Sequence, residues 1–374
     1  MRVVAVTGGN ADVILVGGGI FGQFAALTLA NIGRDVVLID RAALWSEASS
    51  VNAGSLGVQN KIGELVPYAR WSWDLWSGMS ERLAADVGVR RDGGYKIAMT
   101  DDEAKRLEQA VNEQKAVGLE VRLLGRADLR AEAPWLSPNV AAAAFSPEDG
   151  YASPTLLGPA LRAAIERAGV TIVEYANISK IHQNRGISVE TDKGRFQGNA
   201  LAIAAGAWSG QCAALLGEHL PIALDVNMVS VTESAPPTIG KLTTHARGIL
   251  TLKQVANNSC LIGGGWQGIG TLADCRKEID YDQLVHNLRL AVRVVPGLAQ
   301  LNIVRSWAGY EGVSPDSLPY LGRLGDNPNV YCVACARGGF TLGPLFGQLL
   351  GELIATGQTS RPIDLFNPGR FGHA

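Results

Sequence analysis

No stretch of this sequence reaches the 18 or so uninterrupted apolar residues that crossing a bilayer requires. Charge of either sign is not in excess: 33 Lys and Arg against 35 Asp and Glu leave a formal net charge of −2. That balance gives no basic footprint for nucleic acid or an anionic membrane surface. Cysteine is scarce, with five residues (Cys212, Cys260, Cys275, Cys332, Cys335) scattered through 374. An odd, dispersed set in a large chain predicts a reducing cytoplasm and no structural disulfides. Cys332 and Cys335 form one C-x-x-C, and no second one exists to complete a metal site. On a strand, residues three apart point to opposite faces, so the pair reads as small buried hydrophobes and no metal is expected. The opening MRVVAVTGGN carries one Arg and a short apolar run. It reads as an extension or an extra edge strand rather than a secretory signal.

What the chain has in quantity is glycine, 45 residues, in a composition that is 47% apolar and 18% charged. Such a chain buries a large core and predicts two domains. Residues 12–40 carry the organising pattern. An apolar strand at 13–16 runs into Gly17-x-Gly19-x-x-Gly22. A helix of small and apolar residues follows and closes at Gly33, and a second apolar strand at 36–39 ends in Asp40. Gly17 allows the sharp turn, Gly19 keeps side-chain atoms away from a pyrophosphate, and Gly22 lets the helix lie close on the sheet. The phosphates then meet the positive end of the helix, and Asp40 accepts the hydroxyl hydrogens of an adenosine ribose. With strands, helix and terminal acid in register, the unit reads as dinucleotide-binding.

Further along, 65–87 reads as an amphipathic helix with Trp71, Trp73 and Trp76 as core packing or a substrate cage. A strand is predicted at 92–98 and a charged helix at 101–117, capped by Thr100 or Asp101 and stopped by Gly118. The Pro-rich passage 134–154 reads as a crossing between domains. A helix at 155–169 precedes strands at 170–175, 178–183, 187–191, 194–196 and 200–204. Alternation predicts strands at 226–233, 248–254 and 260–265, with Asn257-Asn258 as the turn between the last two. A helix at 279–293 stops at Pro296-Gly297. A strand at 330–334, a turn through Arg337 to Gly343 and a helix at 344–354 complete the chain.

After Asp40, the polar loop SEASSVNAGSLG brings the chain close to a known family. With Ser49, Ser50, Asn52, Ala53 and Gly54 it resembles flavoproteins of the D-amino acid oxidase superfamily, whose serine-containing loop ends in Asn-Ala-Gly. Ala205, Gly206, Ala207, Trp208 and Ser209 resemble the family's Ala-Gly-Ala-Trp-Ser element. Trp307, Gly309, Ser314, Pro315, Asp316, Pro319 and Gly322 resemble its late signature, an aromatic-Ala-Gly turn followed by a Ser/Thr-Pro-Asp run. Gly338, Gly339, Phe340, Thr341 and Leu342 resemble its closing glycine turn. One position departs: where several amino acid oxidases place a carboxylate-clamping Arg, this chain has Glu311. No Cys lies between 276 and 331, where the sarcosine oxidase branch attaches flavin covalently.

The resemblance implies a Rossmann-like FAD-binding domain of the glutathione reductase/p-hydroxybenzoate hydroxylase type, over 1–65, 150–218 and 300–374. A mixed-sheet α+β substrate domain would occupy 66–149 and 219–299. It implies non-covalent FAD held by Gly17, Gly19, Ile20, Phe21, Gly22, Asp40, Arg41, Ser49, Ser50, Asn52, Ala53, Gly54, Ser55, Leu56, Ile178, Ala205, Gly206, Trp208 and Gly338 to Leu342. On the substrate side it implies Glu311, Arg337, Lys253 and Met228, with Asn227 and Gln254 as further candidates. Glu311 would meet a substrate cation or serve as a structural acid. Arg337 would replace the missing carboxylate clamp or be a surface residue. The implied activity is oxidation of the C–N bond of an amino or imino acid by hydride transfer to the flavin. The details look most similar to opine oxidase and D-hydroxyproline dehydrogenase flavoprotein subunits. An alternative is a flavin-bearing electron-transfer subunit of a hetero-oligomeric dehydrogenase.

Overall fold

A computed structural model describes residues 8–183, 186–334 and 337–372. Contacts divide the chain into two compact units. The first comprises Met1–Ser50, Gly158–Asp225 and Glu311–Ala374; the second comprises Val51–Leu157 and Val226–Tyr310. Among the described residues no helix is long and apolar enough to cross a membrane.

The first unit is built on a sheet whose central strand is Gly8–Val16. Its last four residues are fully apolar and buried, as a strand covered on both faces requires. It pairs in parallel with Val36–Ile39 on one side and Gly194–Ile203 on the other. Thr171–Val173 extends one edge, and Val330–Ala334 followed by Tyr320–Arg323 the other. The strands expected separately at 194–196 and 200–204 are one ten-residue strand. Gly198 does not interrupt it, because a side chain there would meet Ile14 at 2.9 Å, so the small residue permits close packing rather than a turn.

Two helices pack on one another in this unit: the first, Ile20–Asn31, and the last, Gly339–Thr356. Gly343, Gly347 and Gly351 form a stripe on the last helix. Side chains there would meet Ile20 at 2.3 Å, Phe24 at 2.5 Å and Thr28 at 2.8 Å. The last helix begins at Gly339, five residues before its expected start. Gly338 adopts φ +66°, a left-handed cap that turns the chain into the helix, and Phe340 and Leu342 are buried from the first turn.

The second unit carries an eight-stranded mixed sheet. Its core side holds Tyr95, Ile97, Leu250, Leu252, Ile262, Ala291 and Val294 in one apolar cluster. The helix expected over 65–87 is two, Val66–Ser77 and Met79–Leu83, divided at Gly78. Trp73 and Trp76 are fully buried, which makes the tryptophan cluster packing. The passage 134–154 is not an irregular crossing. It contains Ala142–Ser146, a sheet strand whose small alanines fit between neighbours on both sides. The aromatic-Ala-Gly element is likewise no turn: it lies inside the strand Ile303–Val313. There Trp307 Nε1 donates to the Val51 carbonyl at 2.7 Å.

Candidate active site

In the first unit the glycine turn is shaped by contacts that leave no room for a Cβ. Gly17 sits at φ +109°, and a side chain there would meet the Ala204 carbonyl oxygen at 2.3 Å. One on Gly22 would meet the Gly17 carbonyl oxygen at 1.9 Å. Around this turn, Ile20 N–H donates to Ser49 Oγ at 2.9 Å and Gln23 Nε2 donates to the Gly18 carbonyl at 2.8 Å. Phe21 is buried.

Asp40, expected to meet the ribose, holds backbone in the fold. Its Oδ2 accepts the Gly18 N–H at 2.7 Å and its Oδ1 accepts the Ala42 N–H at 2.9 Å. Burial pushes its carboxyl above the usual range, opposed by those two N–H groups and by Arg41. The acid therefore fixes the turn itself, and each oxygen keeps a second lone pair for a ligand. Arg41 lies 3.8 Å over the Trp208 ring and pairs with Glu47 at 3.1 Å. Ser50 Oγ donates to the Glu47 carbonyl at 3.0 Å. Ala205 caps a short 3-10 turn from Gly206 to Trp208, and Ile178 packs half-buried against the sheet core.

At the start of the last helix, Glu311 Oε1 accepts the Gly338 N–H at 3.2 Å. Arg337 forms an ion pair with Asp225. Thr341 is buried and Gly339 half-buried. Of the expected substrate-side residues, this brings Glu311 and Arg337 to one turn and adds Asp225, which no motif marks in the sequence. The Pro-Asp signature is a clasp: Ser314 Oγ donates to the Leu318 carbonyl at 2.6 Å, and Asp316 holds Arg370 at 2.8 Å. Cys332 is buried in the sheet core. Cys335, and with it the C-x-x-C, lies outside the described residues. Among the described residues no group of His, Cys, Asp and Glu is arranged to hold a metal.

In the second unit Asn52 Oδ1 accepts the Gly54 N–H at 2.7 Å, and the Gly54 carbonyl accepts the Ala152 N–H at 2.9 Å. Ala53 is half-buried between them. Ser55 and Leu56 then pair with Tyr151 and Gly150. Lys253 belongs to the strand Thr251–Gln254. Its neighbour Leu252 faces the apolar cluster, so Lys253 faces the other side. It is 1% exposed. Its Nζ lies 3.4 Å from Ser55 Oγ and 5.3 Å from the Tyr151 ring centre. Burial alone pulls its pKa down to about 7.

The three other candidates make contacts within the fold. Met228 is 2% exposed and packs under Gly268, where a side chain would meet its Cγ at 3.3 Å. Gln254 Oε1 accepts the Thr238 N–H at 2.7 Å, while its Nε2 donates to the Asn258 carbonyl at 2.9 Å. Asn227 Oδ1 accepts from Gln267 Nε2 at 2.8 Å.

The profile of the family described as "FAD dependent oxidoreductase" (DAO) matches residues 12–353. The chain belongs to this family. Glycine oxidase of Geobacillus kaustophilus is 30% identical over 369 residues, covering 95% of this chain and 96% of that protein. An opine oxidase subunit of Rhizobium meliloti is 26% identical, covering 97% and 98%. The crystal structure of L-proline dehydrogenase from P. horikoshii superposes with a TM-score of 0.89 at 26% identity, covering 97% and 98%.

The protein is thus an FAD-dependent oxidoreductase with the fold of this family, a Rossmann-like nucleotide-binding part joined to a substrate part. The first unit's residues fit the cofactor. Its glycine turn presents bare backbone, and Asp40 beside it keeps acceptor lone pairs for a ligand.

Proposed function

We propose that this chain oxidises the C–N bond of a small amino acid bearing a secondary amine, of the proline, hydroxyproline or opine type. The first unit is assigned to FAD, and it also carries the substrate-side groups Glu311 and Arg337. Gly17, Gly19 and Gly22 would hold the pyrophosphate and Asp40 the ribose. The Gly338 turn would bring the last helix's N-terminal dipole to the flavin. Bound FAD supplies the two-electron acceptor: the substrate's α-hydrogen leaves as hydride, the product is an imine, and water hydrolyses it.

The chain's own groups bind and orient. Arg337 receives the substrate carboxylate through its planar fork of donors. Glu311, with Oε1 on the Gly338 N–H, sets the helix cap, and its carboxylate would meet the substrate's amine. The observation that carries this reading is the Glu311–Gly338 bond beside Arg337. It puts one carboxylate and one guanidinium on the same turn, complementary to an amino acid's two charges. Full-length likeness to an opine oxidase subunit and to an L-proline dehydrogenase supports the secondary-amine class. The first of these is one subunit of a larger enzyme by its name, which favours assembly with partner subunits as an electron-transferring complex.

The test is anaerobic bleaching of the flavin absorbance by a panel of D- and L-proline, D-hydroxyproline, sarcosine, octopine, nopaline and glycine. At least one secondary amine should bleach it faster than glycine does. No bleaching by any member would end the enzyme reading.

A further inference from the structure

Asp225 lies on no recognisable motif, yet it is the acid that engages Arg337. The two residues are 112 apart in sequence and meet because the strand Ala223–Ser234 begins beside the turn that precedes the last helix. Their environments are unequal: the Arg337 side chain is 58% exposed and that of Asp225 25%. A long, solvent-facing guanidinium has many rotamers, and fixing it on binding costs side-chain entropy. An acid held on a strand start removes most of that freedom before a ligand arrives. The guanidinium has five N–H donors in a rigid fork, and Asp225 takes hold of it through Nη2. The same turn is held from its other end, where Glu311 accepts the Gly338 N–H.

We propose that Asp225 is a positioning residue for substrate recognition: it holds the Arg337 guanidinium in the orientation that receives a ligand carboxylate. The inference rests on the assignment of Arg337 as the carboxylate partner. Asp225 touches neither substrate nor cofactor in this scheme. Its effect passes through Arg337, so it should vanish when Arg337 is absent.

A double-mutant cycle on the FAD-loaded protein tests this without turnover. The probes are pyrrole-2-carboxylate and pyrrole-2-carboxamide, titrated against the flavin absorbance spectrum. Wild type should bind the acid at least tenfold tighter than the amide, and Arg337→Met should abolish that preference. Asp225→Asn and Asp225→Ala should each weaken the acid about fivefold and leave the amide unchanged. Asp225→Glu should bind the acid within twofold of wild type. In the Arg337→Met background, Asp225→Asn should change acid binding by less than twofold.

The proposal is overturned if Asp225→Asn binds the acid as wild type does, or weakens acid and amide alike. A fivefold loss that persists without Arg337 overturns it too. Arg337→Met retaining the acid preference would overturn it together with the carboxylate assignment. Failure of the bleaching panel, by contrast, would leave this cycle readable, because the probes are not oxidised.

Discussion

Two strands of the second unit's sheet each carry a lysine on the side away from the apolar cluster, Lys96 half-buried and Lys253 buried, and the two are treated differently. Lys96, in Gly94–Ala98, sits near the fully buried Asp149 and donates to the Gln59 carbonyl at 3.4 Å. Asp149 in turn accepts from Val58 N–H at 2.6 Å and Gln59 Nε2 at 2.6 Å. Burial lowers the Lys96 pKa and Asp149 opposes the fall. Lys253 has one hydroxyl and one ring face, and among the described residues no carboxylate acts on it. The first lysine sits in a polar network that supplies a carboxylate, although Gln59 Oε1 has no partner among the described residues. The second is a buried ammonium held without a counter-ion, which destabilises the fold. Residues kept against stability cluster at functional positions, and Lys253 adjoins Ser55, one of the residues implied for the cofactor.

The contrast can be broken from either side. Asp149→Ala should have the largest effect. It strips Lys96 of its carboxylate and leaves the Val58 and Gln59 donors without an acceptor, at a cost of about 3–5 kcal/mol. Denaturant unfolding measures this, and a loss below about 1 kcal/mol would show that Asp149 is not the acceptor that holds this network.

Lys253→Met should act in the opposite direction, stabilising the protein by a few kcal/mol at pH 6, roughly 1.4 kcal/mol per unit of pKa displacement. The sign with pH is fixed by linkage. Below pH 7 folded and unfolded chains both carry the Lys253 proton and the penalty is constant. Between about 7 and the ordinary 10.5 the unfolded chain binds the extra proton, so wild-type stability rises with pH. Burial raises the pKa of the facing Tyr151, away from the start of that window. The gain from Lys253→Met should therefore shrink as pH climbs from 7 to 10. Equal gains at both ends would mean the lysine is not a buried charge.

The smallest effect belongs to Arg122, on an exposed strand of the same sheet, paired with Glu132 in solvent. Arg122→Ala should leave the melting temperature where it is, because exposed pairs gain little against screening and side-chain entropy. A clear drop would blur the distinction between buried and exposed charge on this sheet.

How much of this is legible in the sequence follows from the range of the interactions. The Gly17–Asp40 unit can be read because its strand, turn, helix and acid are contiguous. The strands Ile178–Gln183 and Ile187–Thr191 form a hairpin with short-range partners, and both agree with their expected bounds. The start of the last helix is hidden because Pro344 suggests a first turn. The burial of Phe340 and Leu342 against the rest of the first unit outweighs it. The strand Ile303–Val313 is hidden because Ala308-Gly309 looks like punctuation. In the fold, Gly309 is small because Val51 would meet a side chain there at 2.1 Å. Asp225 and Tyr151 carry no signal at all, since their roles exist only in tertiary contacts with Arg337 and Lys253. The second role of Asp40, holding Gly18, is masked for a related reason: the motif specifies an acid for the ribose and says nothing of the backbone it also restrains.

The glycine stripe Gly343-Gly347-Gly351 has a consequence for biosynthesis. The helix that begins the nucleotide-binding unit has its closest packing partner about three hundred residues downstream. A ribosome must translate the whole intervening chain before that surface can be covered. Until then the nascent first helix holds Ile20 and Phe24 without the glycines that pack on them. A chain interrupted before Gly343 leaves that face of the first helix without its partner.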